Sequence, residues 1–138
     1  MPLDPNLGPN IRPASRSNLR RGAFLFQIDG AGSPPATGIK GDLVIPYAGV
    51  ITRWTLIADV SGSMVVDLWK DTYANYPPVA GDSITASAKP TISSALKGQS
   101  SNLTGWTTAV AVGDVIRVNL DYVSSITRAT LVIEITRD

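Results

Sequence analysis

Residues 41–70, GDLVIPYAGVITRWTLIADVSGSMVVDLWK, hold the longest apolar runs of the chain, two of its three tryptophans and two turn signals. The stretch reads as a short strand, a turn at Pro46-Tyr47-Ala48-Gly49, a long strand over residues 50–58, a turn at Asp59-Val60-Ser61-Gly62 and a returning strand over residues 63–70. Alternation argues for strand over helix. Val50, Thr52, Trp54, Leu56 and Ala58 fall on one face of the long strand, with Ile51, Arg53, Thr55 and Ile57 on the other. Both faces are largely apolar, which predicts cover on both sides, by a second sheet or by a neighbouring subunit. The returning strand places Met64, Val66 and Leu68 on one side and Val65, Asp67 and Trp69 on the other, so Trp69 is expected at a rim or a contact surface.

Outward from this spine the pattern stays β. Residues 23–28, AFLFQI, form a short strand before a loop rich in glycine and proline, and DTYANYPPVAG at 71–81 reads as an ordered surface loop. A short strand restarts at Gly81-Asp82-Ser83-Ile84, and residues 89–102 read as a polar excursion with one helical turn near 92–96. Strands follow over 103–110, 115–122 and 126–136. In the last, Ala129, Leu131, Ile133 and Ile135 alternate with Arg128, Thr130, Glu134 and Thr136; in the one before it, Ile116, Val118, Leu120 and Tyr122 point one way. About eight antiparallel strands with no convincing helix predict an all-β chain, a single jelly-roll-like β-sandwich over residues 23–138.

Residues 1–22 differ. Pro2, Pro5, Pro9 and Pro13 with almost no apolar periodicity predict an extended arm, able to reach roughly 70 Å at about 3.3 Å per residue. The arm is basic: Arg12, Arg16, Arg20 and Arg21 face the single Asp4, whereas the rest of the chain holds eight basic and ten acidic groups. Four charges spread among prolines make a weak nucleic-acid patch, and no nucleic-acid partner is expected; docking on an acidic protein surface is a reading at least as good, with a solvated tail as the plain alternative.

Composition narrows the chemistry. The chain has 138 residues, 43% of them hydrophobic, enough for one domain. No run of about 18 apolar residues suggests a membrane span, and the start lacks the charged-then-apolar pattern of a secretory leader. With no cysteine and no histidine, disulfides, thiolate chemistry and imidazole bases or ligands are excluded. Asp59, Asp67, Asp71 and Asp82 are the carboxylates that could hold a cation or act as a glycosidase pair, and the one glutamate, Glu134, sits on an exposed register. Turn and strand-edge aspartates are the ordinary case, so no catalytic residue, metal or cofactor is expected. Asp59-Val60-Ser61-Gly62-Ser63 matches the DxSxS metal-site pattern of von Willebrand factor A domains. That pattern needs a helix to follow, and Val65-Val66-Asp67-Leu68-Trp69 is β-branched and aromatic, so a hairpin turn is the reading. Trp69, Tyr73 and Tyr76 are the candidate contacts for a glycan or an interface, with Tyr47 and Trp106 as further aromatics; Trp54 and Trp106 read as core or interface. Asn102-Leu103-Thr104 is a formal glycosylation sequon, read as coincidence without a leader.

As an ordered set, Gly41-Asp42-Leu43-Val44-Ile45-Pro46, Gly49-Val50-Ile51-Thr52-Arg53-Trp54, the run from Gly62 to Lys70 and Leu103-Thr104-Gly105-Trp106 resemble a β-sandwich module of tailed-bacteriophage virion proteins, found in fibre, spike and head-decoration proteins. The resemblance runs from about residue 38 to the end. It implies a non-enzymatic phage particle component without fixing its address, and a module of a kind that commonly forms homotrimers. Taken with the basic arm, which lies outside the resemblance, the expectation is a capsid decoration or head-fibre protein on the virion surface, assembled in the host cytoplasm, whose arm binds the major capsid or another virion protein. A receptor- or glycan-binding tip is the alternative, and a polysaccharide-degrading enzyme would need two carboxylates facing each other across a cleft.

Overall fold

A computed structural model describes residues 20–138 of the protein. These residues form seven strands: β1 (Arg21–Asp29), β2 (Gly38–Val44), β3 (Gly49–Asp71), β4 (Thr91–Ser100), β5 (Ala109–Val110), β6 (Val115–Ser124) and β7 (Arg128–Arg137). Among the described residues helical structure is limited to two 3₁₀ turns, Tyr73–Asn75 and Ala80–Asp82. All pairing is antiparallel, in the order β1-β7-β3-β6-β2, with β4 and β5 along the other edge of β3.

Asp59-Val60-Ser61-Gly62 is not a hairpin turn. β3 passes through it as one strand of 23 residues. Its first half pairs with β7, Gly49 to Ala58 against Arg137 to Ala129, and its second half with β6, Ser63 to Asp71 against Ser124 to Val115. Only Ser125-Ile126-Thr127 separates β6 from β7, so together they give β3 a nearly continuous partner, and its ladder is satisfied on both sides of the tetrapeptide without a reversal. Gly62 marks a bend instead. A Cβ there would overlap the Ser124 carbonyl oxygen, and the pairing with β4 shifts register on either side of it.

Bending closes the fold. Drawn straight, β3 would span roughly 75 Å, yet its two ends meet: Lys70 Nζ lies 2.9 Å from the carbonyl oxygen of Ala109, which pairs with Val50. Backbone bonds link the ends as well. The Ile84 N–H donates to Leu68, the Thr107 N–H to Ile84 and the Ile51 N–H to Thr108, at 2.8–2.9 Å. One curled sheet thus supplies both layers of the sandwich. Leu56, Met64, Leu68, Ile116, Leu120, Leu131 and Ile133 are fully buried between them, each contributing about 1.5–3 kcal/mol through the area removed from water.

Register shifts explain where the pattern misleads. A shift between Ile51 and Arg53 turns both Ile51 and Trp54 inward, so Val50 and Thr52 face out, opposite to the strict alternation that sets both beside Trp54. Another between Val65 and Val66 leaves Tyr122 outside the core that holds Ile116, Val118 and Leu120. The polar run at 91–100 is a strand, not an excursion with a helical turn: β4 lines the β3 edge, buries Ile92 and leaves Ser93 and Ser94 to solvent. Residues 103–108 carry no strand, and Gly81-Asp82-Ser83-Ile84 contributes only a bridge between Ser83 and Trp69. β7 follows its alternation, with Ala129, Leu131, Ile133 and Ile135 all buried.

Candidate functional site

The expected arm meets the fold earlier than its composition suggests. Arg12 and Arg16 lie outside the described residues. Arg21 is already paired with Thr136 as the first residue of β1, and the Arg20 carbonyl oxygen accepts from the Arg137 N–H at 2.7 Å. The chain therefore enters the body beside its C-terminal strand. There the Arg137 guanidinium sits 5.4 Å from the Tyr47 ring centroid, and the Asp138 N–H donates to Ala48 at 3.0 Å.

Trp69 and Tyr76 converge on Arg117. Pairing sets Trp69, Arg117 and Asp42 in one row across β3, β6 and β2. Arg117 grips Asp42 with two bonds, Nε to Oδ1 at 2.7 Å and Nη2 to Oδ2 at 3.1 Å. Tyr76 reaches back over this pair from the loop after β3: its hydroxyl donates to Asp42 Oδ2 at 2.9 Å and accepts from Arg117 Nη2 at 3.2 Å. Its ring lies under the guanidinium, 5.4 Å from centroid to Cζ. The Arg117 hydrogen bond holds the Asp42 carboxyl below its ordinary range; burial opposes this, and the Tyr76 hydroxyl adds to it. Tyr73 projects from the first 3₁₀ turn, which the Thr72 hydroxyl caps by accepting from the Asn75 N–H. Tyr73 is 77% exposed and Tyr76 49%, so the loop offers two open aromatic faces beside a fixed charged pair. Such a surface can stack on a flat ring and hydrogen-bond its rim.

Each of the four carboxylates singled out in the sequence is held by its own neighbourhood. Asp59 accepts from the Thr127 hydroxyl and from the N–H groups of Thr127 and Arg128 at 3.2 and 3.0 Å, stapling the β6–β7 connection to β3. The Thr127 hydroxyl, against the opposing effect of desolvation and helped by the backbone donors, lowers its pKa to about 2. Asp71 takes the Thr72 N–H and the Asn75 amide, and Asp82 takes the Val79 N–H. Among the described residues, no three metal-capable side chains gather together.

Asp67 is the hub. It is 6% exposed although alternation points it outward, because residues 83–89 fold across it. Oδ1 accepts from the Ser83 hydroxyl at 2.7 Å, the Thr85 hydroxyl at 2.6 Å and the Leu68 N–H at 2.8 Å; Oδ2 accepts from the Trp69 indole at 3.0 Å. Lys89 stands 3.6 Å away and bonds Asp121 at 2.6 Å. Burial pushes the Asp67 carboxyl up, but the Thr85, Ser83 and Trp69 bonds with the Lys89 charge outweigh it, and the net shift is down. The centre pins the loop that carries Tyr73 and Tyr76. Leu68 and Trp69 are its sequence neighbours, but the hydroxyls of Ser83 and Thr85 and the Lys89 charge come from beyond that loop, and no local signal in the sequence announces their meeting.

No family model matches the chain, and no curated protein does. Among solved structures it is similar to a chain in the structure of the infectious bursal disease virus Gx strain, with 12% identity and a TM-score of 0.29. The match covers all of this chain and 41% of that one, and at such a TM-score the likeness carries no argument.

Proposed function

We propose that the chain is a non-enzymatic structural protein of a tailed-bacteriophage virion, a capsid decoration or head-fibre protein anchored to the shell by its N-terminal arm. The observation that carries this reading is the relation between arm and body. The basic stretch of sequence runs into β1, which among the described residues is an edge strand beside the C-terminal strand, and the outer face that starts there leaves Leu25, Val50 and Ile57 exposed. A body whose first strand follows a basic, proline-rich stretch of sequence, with apolar side chains exposed among the described residues beside that strand, suits attachment to a larger assembly. Binding of arm and face across neighbouring shell subunits would stabilise the shell by mass action. The test is co-sedimentation with the virion shell, using the full chain and a chain lacking residues 1–19. β1 begins at Arg21, so the shortened chain keeps its sheet; loss of shell binding with an unchanged melting temperature is expected, and equal binding by both chains refutes the anchor.

The open rings of Tyr73 and Tyr76 favour a second reading, a receptor- or glycan-binding tip. It predicts affinity for a cell-surface polysaccharide that falls at least about tenfold in Tyr73→Ala/Tyr76→Ala. Equal affinity in the double variant removes this reading.

A further inference from the structure

We propose that β1 is a self-complementary edge, and that two copies of the chain join their sheets by pairing β1 with β1 about a two-fold axis at Leu25. The proposal goes beyond the virion reading and does not rest on it. Edge strands are ordinarily guarded by charge, proline or bulges. Two edges here are guarded: β2 carries Lys40 at a register shift between Ile39 and Gly41, and β4 carries Lys97, a register shift at Gly62 of its partner and Ser94 at φ 47°. β1 is not. It makes nine unbroken pairs with β7, has no proline, and bears charge only at its two ends, Arg21 and Asp29.

Backbone parity fixes which groups face outward. The Arg137 N–H bonds Arg20 and the Gly30 N–H bonds Thr127, so even-numbered residues of this segment bond to β7. The N–H and C=O groups of Arg21, Ala23, Leu25, Gln27 and Asp29 therefore turn to the edge that no other described strand pairs. Antiparallel pairing of two such edges about Leu25 sets Arg21 against Asp29 of the second copy, Ala23 against Gln27, and Leu25 against itself. All five pairs are of the hydrogen-bonded kind, giving about ten backbone bonds. Two further features match in this register. Opposite charges meet at both ends, and on the core side Phe24 faces Phe26 of the second copy at the closely spaced positions. On the outer side, Leu25, 62% exposed in one copy, continues the row begun by Val132 across the axis.

Sedimentation of the full chain at about 10–100 μM tests this. A dimer is expected, with Leu25→Lys, which sets like charges on the axis, and Arg21→Asp each weakening it at least about tenfold. Asp29→Arg should do the same, although it also opens the bond from the Ala31 N–H to Asp29. Mixing Arg21→Asp with Asp29→Arg restores opposite charges at both ends, so a one-to-one heterodimer should form from two weakened variants. Hydrogen exchange gives a second readout: the Ala23, Leu25 and Gln27 amides should gain protection as wild-type concentration rises. A monomer throughout, a trimer, a dimer indifferent to Leu25→Lys, residues 1–19 occupying this edge, or failure of the mixed variants to pair overturns the proposal.

Discussion

Replacing Asp67 with alanine removes the acceptor on which the Leu68 N–H, the Trp69 indole and the Ser83 and Thr85 hydroxyls converge. The two hydroxyls lie 3.3 Å apart and can bond each other, leaving one of them, the indole and the Leu68 N–H without partners. Each buried donor left unpaired costs about 1–3 kcal/mol, and Lys89 loses part of its counter-charge. The expected loss is about 3–5 kcal/mol, in line with breaking a buried charged network from one side. For a domain of this size that is a fall in melting temperature of roughly 12–20 °C. Thermal and urea unfolding at pH 7, followed by circular dichroism, measures it. Asp67→Asn keeps one carbonyl oxygen but turns an amide toward existing donors, so its loss should fall between wild type and alanine. A loss under about 1 kcal/mol in the alanine variant, or an asparagine variant as stable as wild type, refutes the hub.

Acid should act through depressed carboxylates. Asp42, Asp59 and Asp67 all titrate below their ordinary value, so the stability they confer is full above about pH 4 and drains as pH falls through their folded values, near 2 for Asp59. The difference in stability between wild type and Asp59→Asn should shrink across that window, and a difference constant from pH 5 to 2 contradicts the assignment. Gly62→Ala should destabilise by about 1–3 kcal/mol because the added methyl meets the Ser124 carbonyl, with Ser61→Ala near neutral as the control; urea midpoints decide. Tyr76→Phe should cost about 0.5–1.5 kcal/mol through the lost bond to Asp42, while Tyr73→Ala should leave the melting temperature unchanged.

Alternation in residues 128–137 reads directly as β7, because every inward position faces one core, its pairing with β1 is unbroken, and the extra residue in its pairing with β3 lies on β3. The same rule misplaces Val50 and Tyr122, where one extra residue in a strand reverses the faces beyond it, and nothing local marks the extra residue. Asp59-Val60-Ser61-Gly62 carries turn chemistry, yet the partner formed by β6 and β7, more than fifty residues later, keeps the strand running; tertiary pairing outweighs a four-residue preference. β4 hides in polar sequence because one of its faces is wet. At the candidate site the exposure of Tyr73 and Tyr76 follows from their loop, whereas Asp67 is buried by residues 83–89 and Arg117 meets Asp42 across strands distant in sequence. Spacing along the chain does not encode such meetings.

For the proposed virion role the most direct measurement is electron cryo-microscopy of particles assembled with this chain, compared with particles assembled without it. The account predicts sandwich-sized density on the outside of the shell that disappears when the chain is left out, joined to the shell by an extended segment leading from β1. Particles of identical surface in both preparations, or density held to the shell by the Tyr73–Tyr76 loop with the arm's end of β1 facing away, would contradict it.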